Sequence, residues 1–322
     1  MEAGELRLLR VGSFQGRLET DRQEYADALA LVFGAEVHPF PAVPSDPPGF
    51  ECRIATRAPA ELTIPAALSP GGMLLGGSPA CRTITTEALH AEVQRNGERP
   101  RIAVWVREGQ VSRFALSVHF AVVLNKILFL LDRVILHAAA VRWQDAVHLF
   151  VGEKGSGKST ICLALARAGG TVLGEDRVVL RRTERGFFAS GGDDRSRVTE
   201  QTERHFFPEP LAVAPRDFGG TPKKEIRLGD FFPSEPYRDF PVHRVFFPCI
   251  TGRFRARRLK AQPALLRLMR HAGQFHRFAG AADQESFLDL LSGLAAAIPV
   301  YELELSTDLQ DLDRLPDRLR EV

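Results

Sequence analysis

The chain has 322 residues, of which 44% are hydrophobic and 25% charged, and its formal net charge is +2. That length accommodates one large or two ordinary domains, and so small a net charge excludes a global field that recruits nucleic acid or an anionic membrane surface. Cys52, Cys81, Cys162 and Cys249 form no C-x-x-C pair, which argues against a zinc site or disulfide scaffold and suits a reducing, cytoplasmic setting.

Residues 1–12 mix Glu2, Glu5, Arg7 and Arg10 with short apolar pieces, unlike a signal peptide. A helix is predicted over 22–33. Pro39, Pro41, Pro44, Pro47 and Pro48 then exclude regular structure. Strand-like pieces at 53–56 and 102–106 follow. Residues 1–110 read as a small α+β module without catalytic spacing, an accessory, substrate or partner element, and residues 111–322 as the second domain. Its first element is a helix over 114–131, with Leu116, Phe120, Leu124, Ile127, Leu128 and Leu131 on one broad apolar face. His119, Asn125 and Lys126 interrupt that run, so it reads as a buried helix and not a membrane span.

Strands are predicted over 134–141 and 146–151. With Gln144-Asp145 as a two-residue turn, Trp143 pairs with Ala146, and counting outward sets His137 opposite Gly152. A one-residue slip would turn that imidazole to the other face. The second strand runs into Gly152-Glu153-Lys154-Gly155-Ser156-Gly157-Lys158-Ser159, which matches the phosphate-binding pattern G-x-x-x-x-G-K-[ST]. The glycines allow a tight bend with inward N–H groups, Lys158 reaches the β- and γ-phosphates, and the Ser159 hydroxyl is placed to ligate Mg²⁺. Lys154 adds charge near the phosphates or points to water. Ile161, Ala164, Leu165 and Ala168 continue at helical spacing, ended by Gly169-Gly170. The nucleotide-binding stretch therefore runs from Gly152 through Thr160.

A strand over 171–176 ends in Glu175 and Asp176. In βαβ topology it lies parallel to, and near, the strand feeding the loop, so its end shares the phosphate crevice. Two adjacent carboxylates there permit one to hold Mg²⁺ and the other to accept the proton of an incoming hydroxyl; the bland alternative is a strand ending at a solvated turn. A hairpin over 178–182 and 186–190 follows, then a long irregular stretch over 193–241. Within it Lys223 and Lys224 offer cations to a transferred phosphoryl group, or form an exposed charged strand, and Asp193-Asp194 reads as a loop tip. A buried strand over 243–250, helices over 263–271 and 284–297, and a strand over 300–305 close the chain. Arg253, Arg255, Arg257, Arg258 and Lys260 read as a solvated edge. No Asn-Lys-x-Asp base-reading motif of a GTPase and no Leu-Ser-Gly-Gly signature of a transport ATPase is present.

Leu136-His137-Ala138, the hairpin, Gly152 to Thr160, and Val172-Leu-Gly-Glu-Asp-Arg-Val178 together resemble the catalytic domain of HPr kinase/phosphorylase and its relatives, over about residues 130–182. The resemblance implies an α/β (α+β) chain. Its catalytic part would be a P-loop kinase of the phosphoenolpyruvate-carboxykinase-like type, moving the γ-phosphoryl group of ATP to a serine hydroxyl with Mg²⁺. In the family the corresponding strand ends in two Asp residues, base first and Mg²⁺ ligand second. Carried over, Glu175 is the base, Asp176 and Ser159 hold Mg²⁺, Lys158 holds phosphate and His137 supports the base. Glu in place of Asp is a departure. So is the downstream Leu-Glu-Ile-Arg-Gly-Leu-Gly-Ile signature, which Glu225-Ile-Arg-Leu-Gly229 only echoes; the implied acceptor is therefore another protein or peptide, not HPr. Homo-oligomerisation is left open. Two rival readings stand beside this one: a small-molecule kinase acting on a sugar or amino-acid hydroxyl, and a non-catalytic ATP-binding regulatory or assembly module.

Overall fold

A computed structural model describes residues 5–11, 13–33, 36–39, 49–56, 73–78, 80–94, 99–107, 112–192, 194–218, 220–272 and 281–322. Residues 40–48 of the proline connector and Asp193 lie outside the described residues, as do the side chains of Lys126 and Ile127. The chain divides into two units, residues 1–131 with 276–283, and residues 132–275 with 284–322. Both mix helix and sheet.

In the first unit the elements are β1 (Glu5–Val11), β2 (Phe14–Thr20), α1 (Gln23–Phe33), β3 (Glu36–Pro39), β4 (Phe50–Ala55), β5 (Met73–Gly77), β6 (Cys81–Thr86), β7 (Leu89–Gln94), β8 (Arg101–Val106) and α2 (Arg113–Leu130). The strands form one eight-stranded sheet in the order β3-β1-β2-β4-β8-β7-β6-β5. β4 runs parallel to β2 and β8, and β5 to β8 form an antiparallel meander. Helices α1 and α2 pack on one another, with the Tyr25 ring edge-on to Phe120 at 6.5 Å. Leu116, Phe120, Leu124 and Leu128 are buried, as their spacing requires. That packing places α2 with the first unit, so the division falls one helix later than the sequence boundary near residue 110. Strand β2 escapes a reading by apolar runs because Gln15, Arg17 and Glu19 occupy its more exposed face and alternate with buried Phe14, Gly16 and Leu18.

In the second unit β9 (Arg133–Leu136), β10 (Ala138–Trp143) and β11 (Ala146–Val151) lead into α3 (Lys158–Arg167), β12 (Thr171–Gly174), β13 (Val178–Thr183) and β14 (Gly186–Gly191). Then come β15 (Arg195–Val198), α4 (Glu200–Phe206), β16 (Arg216–Asp217), β17 (Pro222–Arg227), β18 (Phe240–Ile250), β19 (Arg255–Arg258), α5 (Ala261–Ala272), α6 (Ala281–Ala297), β20 (Val300–Leu305) and α7 (Leu315–Arg320). The main sheet runs β12-β10-β11-β18-β14-β13-β9, with β20 beside β18 and β19 beside β20. Strand β18 is 11 residues long: its start pairs with β14, and its later part runs parallel to β11 and β20. Phe150, Phe246 and Tyr301 stack in series at 5.4 Å on these strands, in the same core as Ile161 and Leu165 of α3.

The hairpin register is the one expected. Gln144 and Asp145 carry φ of 51° and 60°, as a two-residue hairpin turn of the primed type demands, and Trp143 pairs with Ala146. β12 does lie parallel to β11, but β10 stands between them and pairs antiparallel with both. β12 also ends at Gly174, two residues earlier than predicted.

The described part of the stretch 193–241 is irregular only in places. β15, β17 and β16 form a small antiparallel sheet. Helix α4 starts at Thr199, whose side chain accepts from Thr202 N. That N-cap, followed by Glu200, was a legible start signal; the charged β17 carried none. Nor is Asp194 a loop tip. It is buried, its carboxylate accepts from Gly229 N at 3.1 Å, and Arg227 lies 3.5 Å away.

β14 ends hard against β12. A Cβ on Gly191 would stand 1.6 Å from Leu173 O, a backbone atom with no freedom to yield. Gly191→Ala is expected to lower unfolding free energy by roughly 3 kcal/mol or more, measured by urea denaturation. A change under about 0.5 kcal/mol would show that the two strands are not so closely packed.

Candidate functional site

The loop after β11 has the backbone its glycines imply. Gly155 and Gly157 adopt φ of 86° and 99°, a region L side chains rarely enter. Gly157 caps α3 with no side-chain hydrogen bond to the helix amides, so the first N–H groups of α3 lack the usual capping partner and carry its positive dipole end. Lys158 is only 5% exposed. Its Nζ donates to Gly152 O and Glu153 O, both at 2.8 Å. Burial lowers its pKa, Asp176 and Glu175 oppose that, and Lys223 lowers it further. Ser156 Oγ is buried and has no hydrogen-bond partner among the described residues. Ser159 and Thr160, in the first turn of α3, are half-buried.

Three sequence-predicted residues converge on this loop. His137 is the single residue between β9 and β10, one step beyond the Ala138–Val151 pair, and so opposite Gly152. Its Nδ1 donates to Asp176 O at 3.1 Å; a carbonyl only accepts, so Nδ1 carries the hydrogen. Burial, then the nearby Lys158 charge, lower the imidazole pKa, which keeps the ring neutral at pH 7. Asp176 adopts φ of 63°, a left-handed turn that Asp tolerates better than most residues. Its carboxylate is half-exposed, 3.8 Å from Arg197.

Glu175 is the most perturbed member. It is 3% exposed, and burial pushes its carboxyl from 4.5 up to about 7, with the Ser159 and Ser196 hydroxyls pulling the other way. Glu175 Oε2 and Ser196 Oγ nonetheless complete no hydrogen bond among the described residues. The two groups are close enough to bias one another and not aligned to bond.

Other predicted residues separate. Lys154 donates to Phe218 O at 2.9 Å, and Glu153 pairs with Arg270 at 2.6 Å on the surface. Alternation along β17 splits the two lysines. Lys224 is held by Glu203 at 2.7 Å and Leu211 O at 2.9 Å, whereas Lys223 is the one whose charge reaches Lys158. Of the basic strand, Arg253 and Arg257 pair with Glu304 and Glu302 on β20. Arg197 and Ser196 were not foreseen; their strand lacks an apolar run that would have flagged it.

These residues fit a phosphate chain. A lysine folded onto loop carbonyls, a helix N-terminus without a side-chain cap and a partnerless buried Ser156 hydroxyl are donors that an anion would engage. They also fit Mg²⁺: Ser159 and Asp176 offer oxygens beside that position, and no three His, Cys, Asp or Glu side chains converge among the described residues. Mg²⁺ bound here would take its remaining ligands from phosphate and water, its usual habit. Among the described residues no helix is long and apolar enough to cross a membrane.

No family model matches the sequence, and a search of curated proteins finds no match. Among solved structures the chain is similar to the HPr(Ser) kinase/phosphatase from Coxiella burnetii, at 13% identity, over 58% of this chain and 94% of that one, with a TM-score of 0.32. A likeness so distant carries no assignment of fold type or activity.

The raised Glu175 carboxyl makes a prediction for metal-free protein. Between its ordinary value and about 7 the folded chain keeps a proton that the unfolded chain has lost, so stability falls as pH rises through that window and the cost is complete above it. Glu175→Gln removes the cost and is expected to gain ~3 kcal/mol over wild type at about pH 8, with little gain at about pH 4. Urea titrations in chelator at both pH values check this; an equal gain at the two would sink the burial argument.

Proposed function

We propose that this chain is an ATP- and Mg²⁺-dependent kinase of the phosphoenolpyruvate-carboxykinase-like type that phosphorylates a hydroxyl, serine foremost, of a protein or peptide in the cytoplasm. The observation that carries the reading is the buried, proton-hungry Glu175 carboxyl beside the phosphate loop. A base poised near 7 takes a hydroxyl proton at neutral pH far better than an ordinary carboxylate.

In the proposed reaction the acceptor oxygen forms a bond to the terminal phosphorus while the bond from that phosphorus to the β-phosphate oxygen breaks. The acceptor proton passes to a Glu175 oxygen, and the products are ADP and a phosphomonoester. Lys158 leaves its two loop carbonyls to meet the β- and γ-phosphates, and the amides of Gly155 to Thr160 hold the phosphate chain in line. Mg²⁺, when bound by Ser159 and Asp176, neutralises charge that develops on the phosphate oxygens. His137, donating to Asp176 O, fixes the turn that carries both carboxylates.

The test is transfer from labelled ATP to a library of serine peptides. Glu175→Gln is expected to bind ATP within about threefold of wild type yet transfer roughly 10²–10⁴-fold more slowly, and wild-type kcat/KM is expected to rise with pH to a plateau above about 7. A Glu175→Gln variant that transfers as fast as wild type removes the base assignment. Tight ATP binding with no transfer over hours removes the kinase.

A further inference from the structure

Arg197 is placed with more care than stability requires. It lies on β15 directly across from Glu225 of β17, and its Nε donates to Glu225 Oε2 at 3.1 Å. Its guanidinium carbon stands 4.4 Å from the centre of the Phe218 ring. Phe218 is in turn tied to the phosphate loop, because its carbonyl accepts from Lys154 Nζ. Held on one side by a carboxylate and on another by an aromatic face, the guanidinium points its Nη1 at Asp176 Oδ2, 3.8 Å away. Both side chains of that last pair are 47% exposed. A long, half-exposed pair stabilises a fold little. The cross-strand carboxylate and the ring hold the guanidinium beside Asp176.

We propose that Arg197 is a further catalytic residue of this site, the cation that touches the phosphoryl group in flight. The inference rests on the kinase reading above. A planar guanidinium presents two N–H groups in a fork that matches two phosphoryl oxygens. With Mg²⁺ held by Asp176, that carboxylate would no longer be open to Arg197, and the guanidinium, still held through Nε by Glu225 and by the Phe218 ring, would offer its Nη groups to the oxygens of the transferred group. No atom is exchanged with Arg197. It contributes charge where negative charge spreads over the equatorial oxygens, and that stabilisation exists chiefly in the transition state.

The experiment separates this from a structural tie. Titration calorimetry measures affinity for Mg·ADP alone and for Mg·ADP with aluminium fluoride, a mimic of the planar phosphoryl group, in the presence of serine peptides. Wild type is expected to tighten on adding fluoride. Arg197→Gln is expected to bind Mg·ADP within about threefold of wild type but to lose on the order of 10²–10³-fold of the tightening. Arg197→Lys, which keeps charge without the fork, is expected to fall between them, and thermal melts of both variants to stay near wild type. Equal tightening in Arg197→Gln overturns the proposal, as does a parallel loss of Mg·ADP affinity, which marks a structural role. Absence of tightening in wild type overturns it too. Wild type that fails to bind Mg·ADP at all removes the kinase reading and the inference together, and is told apart by the first titration.

Discussion

Strand β10 is the ruler of this site. It pairs antiparallel with β11 on one side and β12 on the other, so one strand sets the height of both neighbours. β11 ends in the phosphate loop, β12 ends one residue before Glu175, and β10 itself begins one residue after His137. The imidazole, the loop glycine and the paired carboxylates therefore arrive at the same edge of one sheet through two hydrogen-bonded ladders. On the β12 side the register skips Leu173, pairing Gly174 with Ala140 and Val172 with Val141. The skipped residue's carbonyl is the atom that Gly191 of β14 packs against. A slip of one residue in either ladder would move a functional side chain to the wrong face.

The electrostatics of the site oppose the fold that builds it. Lys158 and Glu175 are both nearly sealed from water, and burial drives each toward its neutral form. The lysine is answered by two carbonyls, whereas Glu175 keeps an oxygen without a partner. A buried polar atom left in that state costs free energy that packing elsewhere must offset. Phe150, Phe246 and the buried face of α3 share one dense core in the strands and helix that flank the loop, with Tyr301 packed against it.

Much of this was legible in advance where a local rule was at work. The glycine spacing implied a tight loop, and Gly155 and Gly157 have the positive φ that only glycine adopts freely. The two-residue turn at Gln144-Asp145 set the hairpin register and, through it, the place of His137. Other features were hidden because their signal is not local. β17 reads as a string of charges, so neither its pairing with β15 nor the split of Lys223 from Lys224 follows from composition. Arg197 is one of many arginines until Glu225, Phe218 and Asp176, which lie up to 28 residues away in sequence, are brought around it.

By itself the sequence determined the elements whose cause is short-ranged: a glycine-rich turn, a helix that starts at Lys158, a hairpin whose turn counts its own register, and a strand that ends near two carboxylates. Backbone sterics and side-chain periodicity act over a few residues, and so they can be read there. Only the tertiary structure decided that β10 separates the two functional strands, that Glu175 is buried while its neighbour Asp176 is half-exposed, and that Arg197 faces the latter. Those outcomes depend on which distant strands share a sheet and on how much water their packing leaves. Desolvation and charge proximity are properties of the assembled neighbourhood, and no window of sequence contains them.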